Sequence, residues 1–569
     1  MRLNILANII FFFLGLIVLG LFYMQIIRGD YYRGLSVNNH IRIVPVDAPR
    51  GRILDRNSVV LADNRESFNI AVIPQDIEDA DVLFNFLSRV VNKDPAALRK
   101  IYQRRKLTPF EPVVIAEDID RRALITVEEN RFQYPGLITE KIFERFYPFR
   151  ESGSHAVGYV GKIDPMQAEV LQEYGYTPWS LVGKTGAEQF YDQTIQGIDG
   201  GRQIEVNSRG QEVRLLGIKE PLKGKDIGLT VDQRVQSKAA ELLGNQPGSV
   251  IVMDLHSGEV LGLASSPAFD PNAFSNRSEN SRIENYMRDS LSPLLNRAIS
   301  GQSPPGSVFK IPVALAAVER NKISTQTTFN CPGYLDLGGR RFGCAHVHGA
   351  ENIFQAIAHS CNVYFFRAGQ MLTAPVIGAF AKAMGLAHPT GIDLPSEASG
   401  KLVLPKDRKD VWYPGNTLNL SIGQGDTLAT PIQLTVLMAA VANNGIRPRP
   451  RILKSINGKE LPPQDLSKRP TVRLKPHTWD VVQKGLRQTV ENPEGTAHLL
   501  HNLKGMTIWG KTGTAQAGPK GDHAWFAGYL HSAKSHLAFC VFLEHGGASS
   551  NAVALTHDLL QFMQANGII

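Results

Sequence analysis

Dense basic runs are missing from this sequence. The formal net charge is +8, yet no Lys/Arg-rich run or zinc-finger spacing goes with it, which argues against nucleic acid as a partner. A modest excess of this kind suits an anionic neighbour such as a phospholipid surface or an acidic polymer. No repeat at a fixed period occurs, so solenoids and propellers are excluded. The 33 prolines and 51 glycines are spread rather than clustered, and no large disordered tract is implied. What remains is ordinary globular composition, 43% hydrophobic and 20% charged. At 569 residues the chain is too long for one core, which predicts two to four units.

Charge is also missing from the first stretch. From Ile5 to Ile27 the chain reads ILANIIFFFLGLIVLGLFYMQII, with Asn8 and Gln25 as the strong polar interruptions. Roughly 20 apolar residues in a helix span a hydrocarbon core about 30 Å thick. A cleaved signal peptide has a shorter apolar run and a small-x-small site, whereas Arg28-Gly-Asp-Tyr-Tyr-Arg33 follows here. The expectation is an uncleaved single-span membrane anchor over residues 1–30; a buried core helix is the plainer alternative. Arg2 precedes the run and Arg28 and Arg33 follow it, so the positive-inside rule leaves orientation open.

Beyond the anchor, Asn39–Glu66 contains RGRILDRNSVVLADN, a strand-and-turn pattern. Residues 75–145 mix charge-rich helical stretches with short strands, and Arg104-Arg105-Lys106 reads as a solvated helix end. Gly183–Thr230 reads as β-like and turn-rich. Past Gln236, GSVIVMDLHSGEVLGLASSP predicts a hairpin of two apolar strands, followed by a long helical region from about Asn296 to Leu386. Strands return in MTIWGKTGTAQA, HAWFAGYLH and SHLAFCVFLEHG, and a helix over Asn551–Asn566 closes the chain. The expected class is α+β, with a β-rich membrane-proximal domain over 31–240 and a catalytic domain over 241–569.

PPGSVFKIPVALAAVER sets Ser307 and Lys310 three apart at a helix start, on one face. A lysine there can take the hydroxyl proton if burial or another cation lowers its pKa. Free N–H groups of a helix N-terminus suit the charge that develops on an attacked carbonyl. Ser360-Cys361-Asn362 is a second element. In a loop between helices Ser360 can relay a proton and Asn362 can hold an amide; a buried polar turn is the alternative. In Lys511-Thr512-Gly513-Thr514, strand alternation sends Lys511 and Gly513 to one face. Hydroxyls and a lysine suit a carboxylate, Gly513 admits a substrate backbone, and an N–H near Thr514 can complete an oxyanion hole.

GMTIWGKT, Gly505–Thr512, matches the phosphate-loop pattern literally. Such a loop needs a helix opening at Lys-Thr, but Met-Thr-Ile-Trp suits a strand and TAQAGPKG starts no helix, so the match is read as coincidence. The other GKTG copy, at Gly183, reads as a structural turn in which Glu188 anchors a neighbouring strand.

The order Ser-x-x-Lys, Ser-x-Asn, Lys-Thr-Gly resembles the penicillin-recognising transferases and serine β-lactamases, whose usual middle element is Ser-Asp-Asn. The gaps of 53 and 151 residues between Ser307, Ser360 and Lys511 agree with the larger members. RGRILDRN, GKTGAEQFYD, IEVNSRGQEV, LTVDQRVQ, KTGTAQ and HAWFAGY look most like the penicillin-binding protein 2 group of class B penicillin-binding proteins. The resemblance implies an elongated pedestal domain of dimerisation type and a penicillin-binding, serine β-lactamase-like transpeptidase domain, an antiparallel sheet flanked by helices. It implies a D,D-transpeptidase that crosslinks peptidoglycan stem peptides in cell elongation and rod-shape maintenance, and a target of β-lactam antibiotics. Ser307 would be acylated with loss of D-alanine, with Lys310 as its base and Ser360 as the relay. Asn362 would bind the donor amide, Lys511 and Thr512 would fix the substrate carboxylate and local charge, and Thr514 would lie on the strand edge beside the acyl group. A glycan-polymerising glycosyltransferase in the bacterial inner membrane is the implied partner, with the catalytic domain in the periplasm. The alternatives are a carboxypeptidase or β-lactamase of the same fold, or a β-lactam sensor.

Cys331, Cys344 and Cys361 fall within 31 residues, with His346 and His348 among them. Cys331, Cys344, His348 and Cys361 can supply four tetrahedral ligands to a structural zinc, and His346 can replace His348. A Cys331–Cys344 disulfide is the alternative. Some members of the resembled group carry zinc beside the active site, where Cys361 would hold the Ser360–Asn362 loop; no cofactor is needed for the chemistry. Cys540, in HLAFCVF, reads as core.

Overall fold

The computed structural model describes residues 2–31, 41–106, 108–109, 112–171, 173, 176, 180–206, 212–275 and 280–569. Tyr32, Arg33 and Asn39, and residues 207–211 of IEVNSRGQEV, lie outside the described residues. The apolar run forms helix α1, Arg2–Phe22, continued by a helical turn at Tyr23–Ile27. Its stretch Asn8–Ile27 is 20 residues long, exposed throughout, and long and apolar enough to cross a membrane.

The chain divides into two compact units, and it passes between them several times. The first comprises 1–50, 64–144 and 196–224, the second 51–63, 145–195 and 225–569. In the first unit, strands Ile41–Val46 and Glu212–Lys219 flank Gly200–Val206 in an antiparallel sheet. A separate core gathers Phe84, Leu87, Leu98, Val113 and Val127 from short helices and strands.

The second unit is built on β1 (Gly248–Asp254), β2 (Val260–Ser266), α2 (Lys310–Glu319), α3 (Ile353–Ala358), α4 (Asn362–Leu372), α5 (Pro414–Ser421), α6 (Pro431–Ala442), α7 (Pro476–Glu491), β3 (Met506–Ala515), β4 (His523–Ser532), β5 (His536–Leu543) and α8 (Ser549–Ala565). The strands form one antiparallel sheet in the order β2-β1-β5-β4-β3. Alternation assigns the two faces. Val250 and Val252 join the core beneath α8, with Phe539 and Val541, while Ile251 and Met253 join the core containing α2 and α6, with Cys540 and Phe542. Both faces are covered, which is why these strands read as near-continuous apolar runs. Cys540 is fully buried in this sheet, as expected. Among the described residues β3 pairs on one side only and is the sheet's edge.

Two sequence expectations need correction. The region from Asn296 to Leu386 is not continuously helical. Between α2 and α3 the short strands Phe329–Cys331 and Gly349–Glu351 pair, as do Tyr334–Leu337 and Arg340–Gly343. Gly338 and Gly339 make the tight turn of the second pair, both at positive φ. Nor is Gly183–Thr230 uniformly β-like, because Gly186–Phe190 and Asp192–Ile195 are helical. There Glu188 accepts a bond of 2.6 Å from Arg145 Nε, both side chains being buried. Arg145 lies in the strand Leu137–Phe146, so the anchoring expected of Glu188 is present.

Candidate active site

Every residue of α2 from Lys310 to Val318 is buried. A helix that is apolar all round belongs in a core, and its first residue is dragged there with it. Lys310 therefore sits 1% exposed and must find partners in place of water. Its Nζ donates to Ser360 O at 2.6 Å, Asn362 Oδ1 at 2.7 Å and Ser360 Oγ at 3.3 Å. Burial pushes its pKa down to about 8, against the charges of Cys344, Cys361 and Cys331, which raise it.

Ser307 occupies the tight turn Gly306–Phe309 immediately before α2 and is partly exposed. Gly306 has φ +52°, and a Cβ there would lie 2.7 Å from Thr514 O, so glycine alone lets this turn approach β3. The approach is reciprocal. A Cβ at Gly513 would meet Pro305 O at 2.9 Å. Gly513 thus faces the Ser307 turn.

On β3, Lys511 is fully buried and its Nζ donates to Thr512 O at 3.2 Å. Burial, then the charge of Lys310, lowers its pKa far below the ordinary lysine value. Thr512 Oγ1 lies 2.7 Å from Thr496 Oγ1, which also donates to Ala358 O at 3.3 Å. Thr514 is exposed. GMTIWGKT therefore lies within or just ahead of one unbroken strand, with no helix opening at Lys-Thr.

Ser360 lies in the loop between α3 and α4, as the element requires, with φ +59°. A left-handed non-glycine residue costs about 1–2 kcal/mol. The neighbouring groups hold it there: Cys361 Sγ caps α4 by accepting from Tyr364 N at 3.5 Å. Asn362 N donates to Cys344 Sγ at 3.1 Å, and its Nδ2 donates to Gly343 O at 3.0 Å.

The ligand atoms of Cys331, Cys344, His348 and Cys361 all lie within 4.8 Å of one another. His348 Nδ1 is 3.5 Å from Cys331 Sγ and 3.6 Å from Cys344 Sγ. All four cysteines of the chain are free thiols, so Cys331 and Cys344 are not joined in a disulfide. His346 stands outside this set, its ring 6.0 Å from that of His348. The Cys361 thiol donates to Cys344, which lowers the pKa of Cys344 and raises that of Cys361. Four donors at this spacing suit a small tetrahedral cation, for which two sulfurs about 2.3 Å from the metal stand about 3.8 Å apart. A second layer follows: His359 stacks on His348 at 6.0 Å and bonds buried Glu351 at 2.8 Å.

Comparison with known proteins settles the lineage of this arrangement. The family model "Penicillin binding protein transpeptidase domain" matches residues 248–561, and "Penicillin-binding Protein dimerisation domain" matches 45–229. The chain belongs to the penicillin-binding proteins. Among these, Peptidoglycan D,D-transpeptidase MrdA of Haemophilus influenzae is 30% identical, over 96% of this chain and 89% of its own length. A penicillin-binding protein, PBP2, solved in complex with MreC from Helicobacter pylori superposes with a TM-score of 0.81 at 26% identity, covering 93% of this chain and 99% of that one. A chain from a structure described as "Structural coordination of polymerization and crosslinking by a peptidoglycan synthase complex" gives a TM-score of 0.74 at 30% identity, covering 99% and 98%. This penicillin-binding protein is of class B, most like the PBP2 group.

The fold brings Lys310, Ser360 and Asn362 into direct contact and sets the Ser307 turn against β3. Sequence reasoning missed Thr496, which ties Thr512 to the end of α3, and Gly423, whose carbonyl accepts from Gly306 N at 3.1 Å. Neither carries a motif of its own. Gly423 lies in SIGQG, whose paired glycines are a turn signal that local reading does not connect with Ser307.

Proposed function

We propose that this penicillin-binding protein is a peptidoglycan D,D-transpeptidase of cell-wall elongation, acting through a Ser307 acyl-enzyme. One observation carries the reading: a buried lysine with its pKa drawn down to about 8 stands one turn from a partly exposed serine and is bonded to Ser360 and Asn362. Neutral Lys310 takes the Ser307 hydroxyl proton as Oγ attacks the carbonyl of the penultimate D-alanine. Free N–H groups at the turn before α2 and along the β3 edge receive the oxyanion, where one such donor is worth roughly 3 kcal/mol. The C–N bond breaks, and the proton returns through Lys310 and Ser360 to the departing D-alanine. An amine from a neighbouring strand then attacks the ester, forming the crosslink and restoring Ser307. Asn362 holds the donor amide, while Lys511 and Thr512 take its carboxylate end, Gly513 admits its backbone and Thr514 borders the acyl group.

Helix α1 serves as a single-span inner-membrane anchor over 1–30, with a pedestal over 31–240 and a transpeptidase domain over 241–569 on the periplasmic side, where stem peptides are. Similarity to a PBP2 solved with MreC and to a chain of a peptidoglycan synthase complex supports assembly with such a scaffold and with a glycan polymerase. A zinc held by Cys331, Cys344, His348 and Cys361 fits the donor set. Those residues would hold it, and such an ion would cross-brace Cys361 and hence the loop that carries Ser360 and Asn362.

Labelling with a fluorescent penicillin tests the acyl-enzyme, wild type against Ser307→Ala; persistent labelling of the variant sinks the assignment. Elemental analysis of the purified, reduced protein should find about one zinc per chain; a metal-free chain with unchanged labelling would refute the bracing role.

A further inference from the structure

The catalytic sheet carries a group of histidines that the chemistry at Ser307 does not use. Strand register sets His531, near the end of β4, directly opposite His536, the first residue of β5. Alternation puts both on the sheet face of Tyr529, Ala538 and Cys540, the one packed on the core of α2 and α6. His256 reaches them from the turn between β1 and β2, where Leu255 N donates to His536 O at 2.9 Å. The ring centroids of His531 and His536 are 4.7 Å apart and those of His536 and His256 5.5 Å, each pair nearly perpendicular.

The backbone beneath these rings is fixed while the rings themselves are uncommitted. Asp254 Oδ1 accepts from His256 N at 3.0 Å and from Ser257 N at 2.7 Å, and Asn443 Nδ2, just past α6, donates to Leu255 O at 2.6 Å. His531 is half-buried, its ring 5.1 Å from that of Trp509, which stacks on Tyr529 at 4.9 Å. His256 and His536 are exposed. Among the described residues no ring nitrogen of the three has a hydrogen-bond or ion-pair partner. Lys534, the cation of the β4–β5 turn, is drawn to the opposite face: a Cβ on Gly567, just past α8, would lie 3.7 Å from its Nζ.

Imidazole is the commonest side-chain metal ligand. Two imidazole nitrogens about 2.05 Å from one cation put their ring centroids about 3.2 Å from it. The centroids then stand roughly 4.5 Å apart at a right angle and roughly 5.2 Å apart at the tetrahedral angle. The observed 4.7 and 5.5 Å fall close to these spacings. The three sets of ring nitrogens do not converge as they stand. Convergence requires the two exposed rings to turn, and the broad terminal torsion of histidine opposes that little. Burial, then the charges of His536 and His256, lowers the pKa of His531, which favours its neutral, ligating form.

We infer that His256, His531 and His536 form a surface site for a divalent cation of the zinc, nickel and copper class, separate from the Cys331–Cys361 cluster. Three imidazoles suit such ions, and three protein ligands leave a coordination position to water. An ion held there ties the β1–β2 turn to the β4–β5 hairpin.

The test titrates nickel(II) into the full chain, without a polyhistidine tag, and reads bound metal by equilibrium dialysis and tryptophan emission. Wild type should bind one nickel per chain more than His256→Ala/His536→Ala. The cysteine cluster is intact in both chains, so nickel taken up there cancels in the difference. Equal uptake by the two chains overturns the site. His256→Ala alone should weaken binding at least tenfold; unchanged affinity reduces the site to a cross-strand pair and overturns the three-ligand proposal. Labelling by fluorescent penicillin within twofold of wild type shows that the variants are folded, and if the double variant fails to label, His256→Ala decides. Nickel, an efficient quencher, should reduce emission with the same midpoint as binding, and zinc, which does not quench, should restore it by displacement. Trp509→Phe should lose most of this quench, and a full quench in that variant places the metal elsewhere and overturns the proposal.

Discussion

As the proposed base for Ser307, Lys310 should make acylation strongly dependent on pH. The group must be neutral to accept the Ser307 proton, and its pKa is drawn down to about 8 by burial. With that value roughly 9% of the side chain is neutral at pH 7 and roughly 90% at pH 9, against about 0.03% at pH 7 for an unshifted lysine. Burial thus raises the supply of base at pH 7 roughly 300-fold, and the same shift carries a folding cost of about 3 kcal/mol. The sign follows from proton counting. Between pH 8 and the unfolded lysine value near 10.4 the unfolded chain binds more protons, so stability rises with pH across that window; below it the full cost is present. The assay is the second-order rate of fluorescent-penicillin acylation from pH 6 to 10. It should rise about tenfold between pH 7 and 9 and level off above, with an apparent pKa near 8. Lys310→Met should abolish labelling and yet melt at pH 7 no lower than wild type, because the buried charge is gone. A flat rate profile, or one still climbing beyond pH 10, would refute the assignment of Lys310 as the base. A Lys310→Met chain that melts far below wild type would show that the three hydrogen bonds outweigh the burial cost.

The left-handed Ser360 offers a clean separation of stability from activity. Ser360→Gly should stabilise the fold by about 1 kcal/mol while slowing acylation by one to two orders of magnitude; denaturant midpoints and labelling rates together check it. Thr496→Val removes the bonds to Thr512 and Ala358 without changing shape, and leaving buried Thr512 Oγ1 unpaired should cost about 1–3 kcal/mol and slow penicillin acylation. Equal labelling and equal melting would show that Thr496 only fills space. Lys184, which is paired with Gln167 Oε1 at 2.5 Å and Asp164 at 3.6 Å, should be replaceable by alanine with labelling intact, whereas Lys511→Ala loses most of it.

The catalytic sheet and its motifs were legible in the sequence because their signals are local. Apolar strands announced β1 to β5, and order and spacing singled out Ser307, Lys310, Ser360 and Lys511. The Cys331–Cys361 cluster was legible for the same reason, as a dense set of soft ligands in one stretch. Residues 329–351 were misread as helical because their strands are three or four residues long and polar, and the hairpins close around cysteines and a histidine rather than an apolar face. Thr496 and Gly423 stayed invisible for another reason. Each acts on a partner far along the chain, and no local pattern encodes that pairing.

An edge strand ordinarily invites another chain to pair with it, which folded proteins must guard against. In β3 the vulnerable side is the one proposed to receive the substrate, with the Gly306 turn packed against it and Thr514 exposed beside it. On that proposal an extended peptide laid along the edge would be gripped through main-chain groups, which every residue type supplies. Altered selectivity at this strand then has to come from moving the backbone itself. Substitutions that shift the Gly306–Thr514 contact should therefore change ligand discrimination more than substitutions at the exposed side chains of the strand.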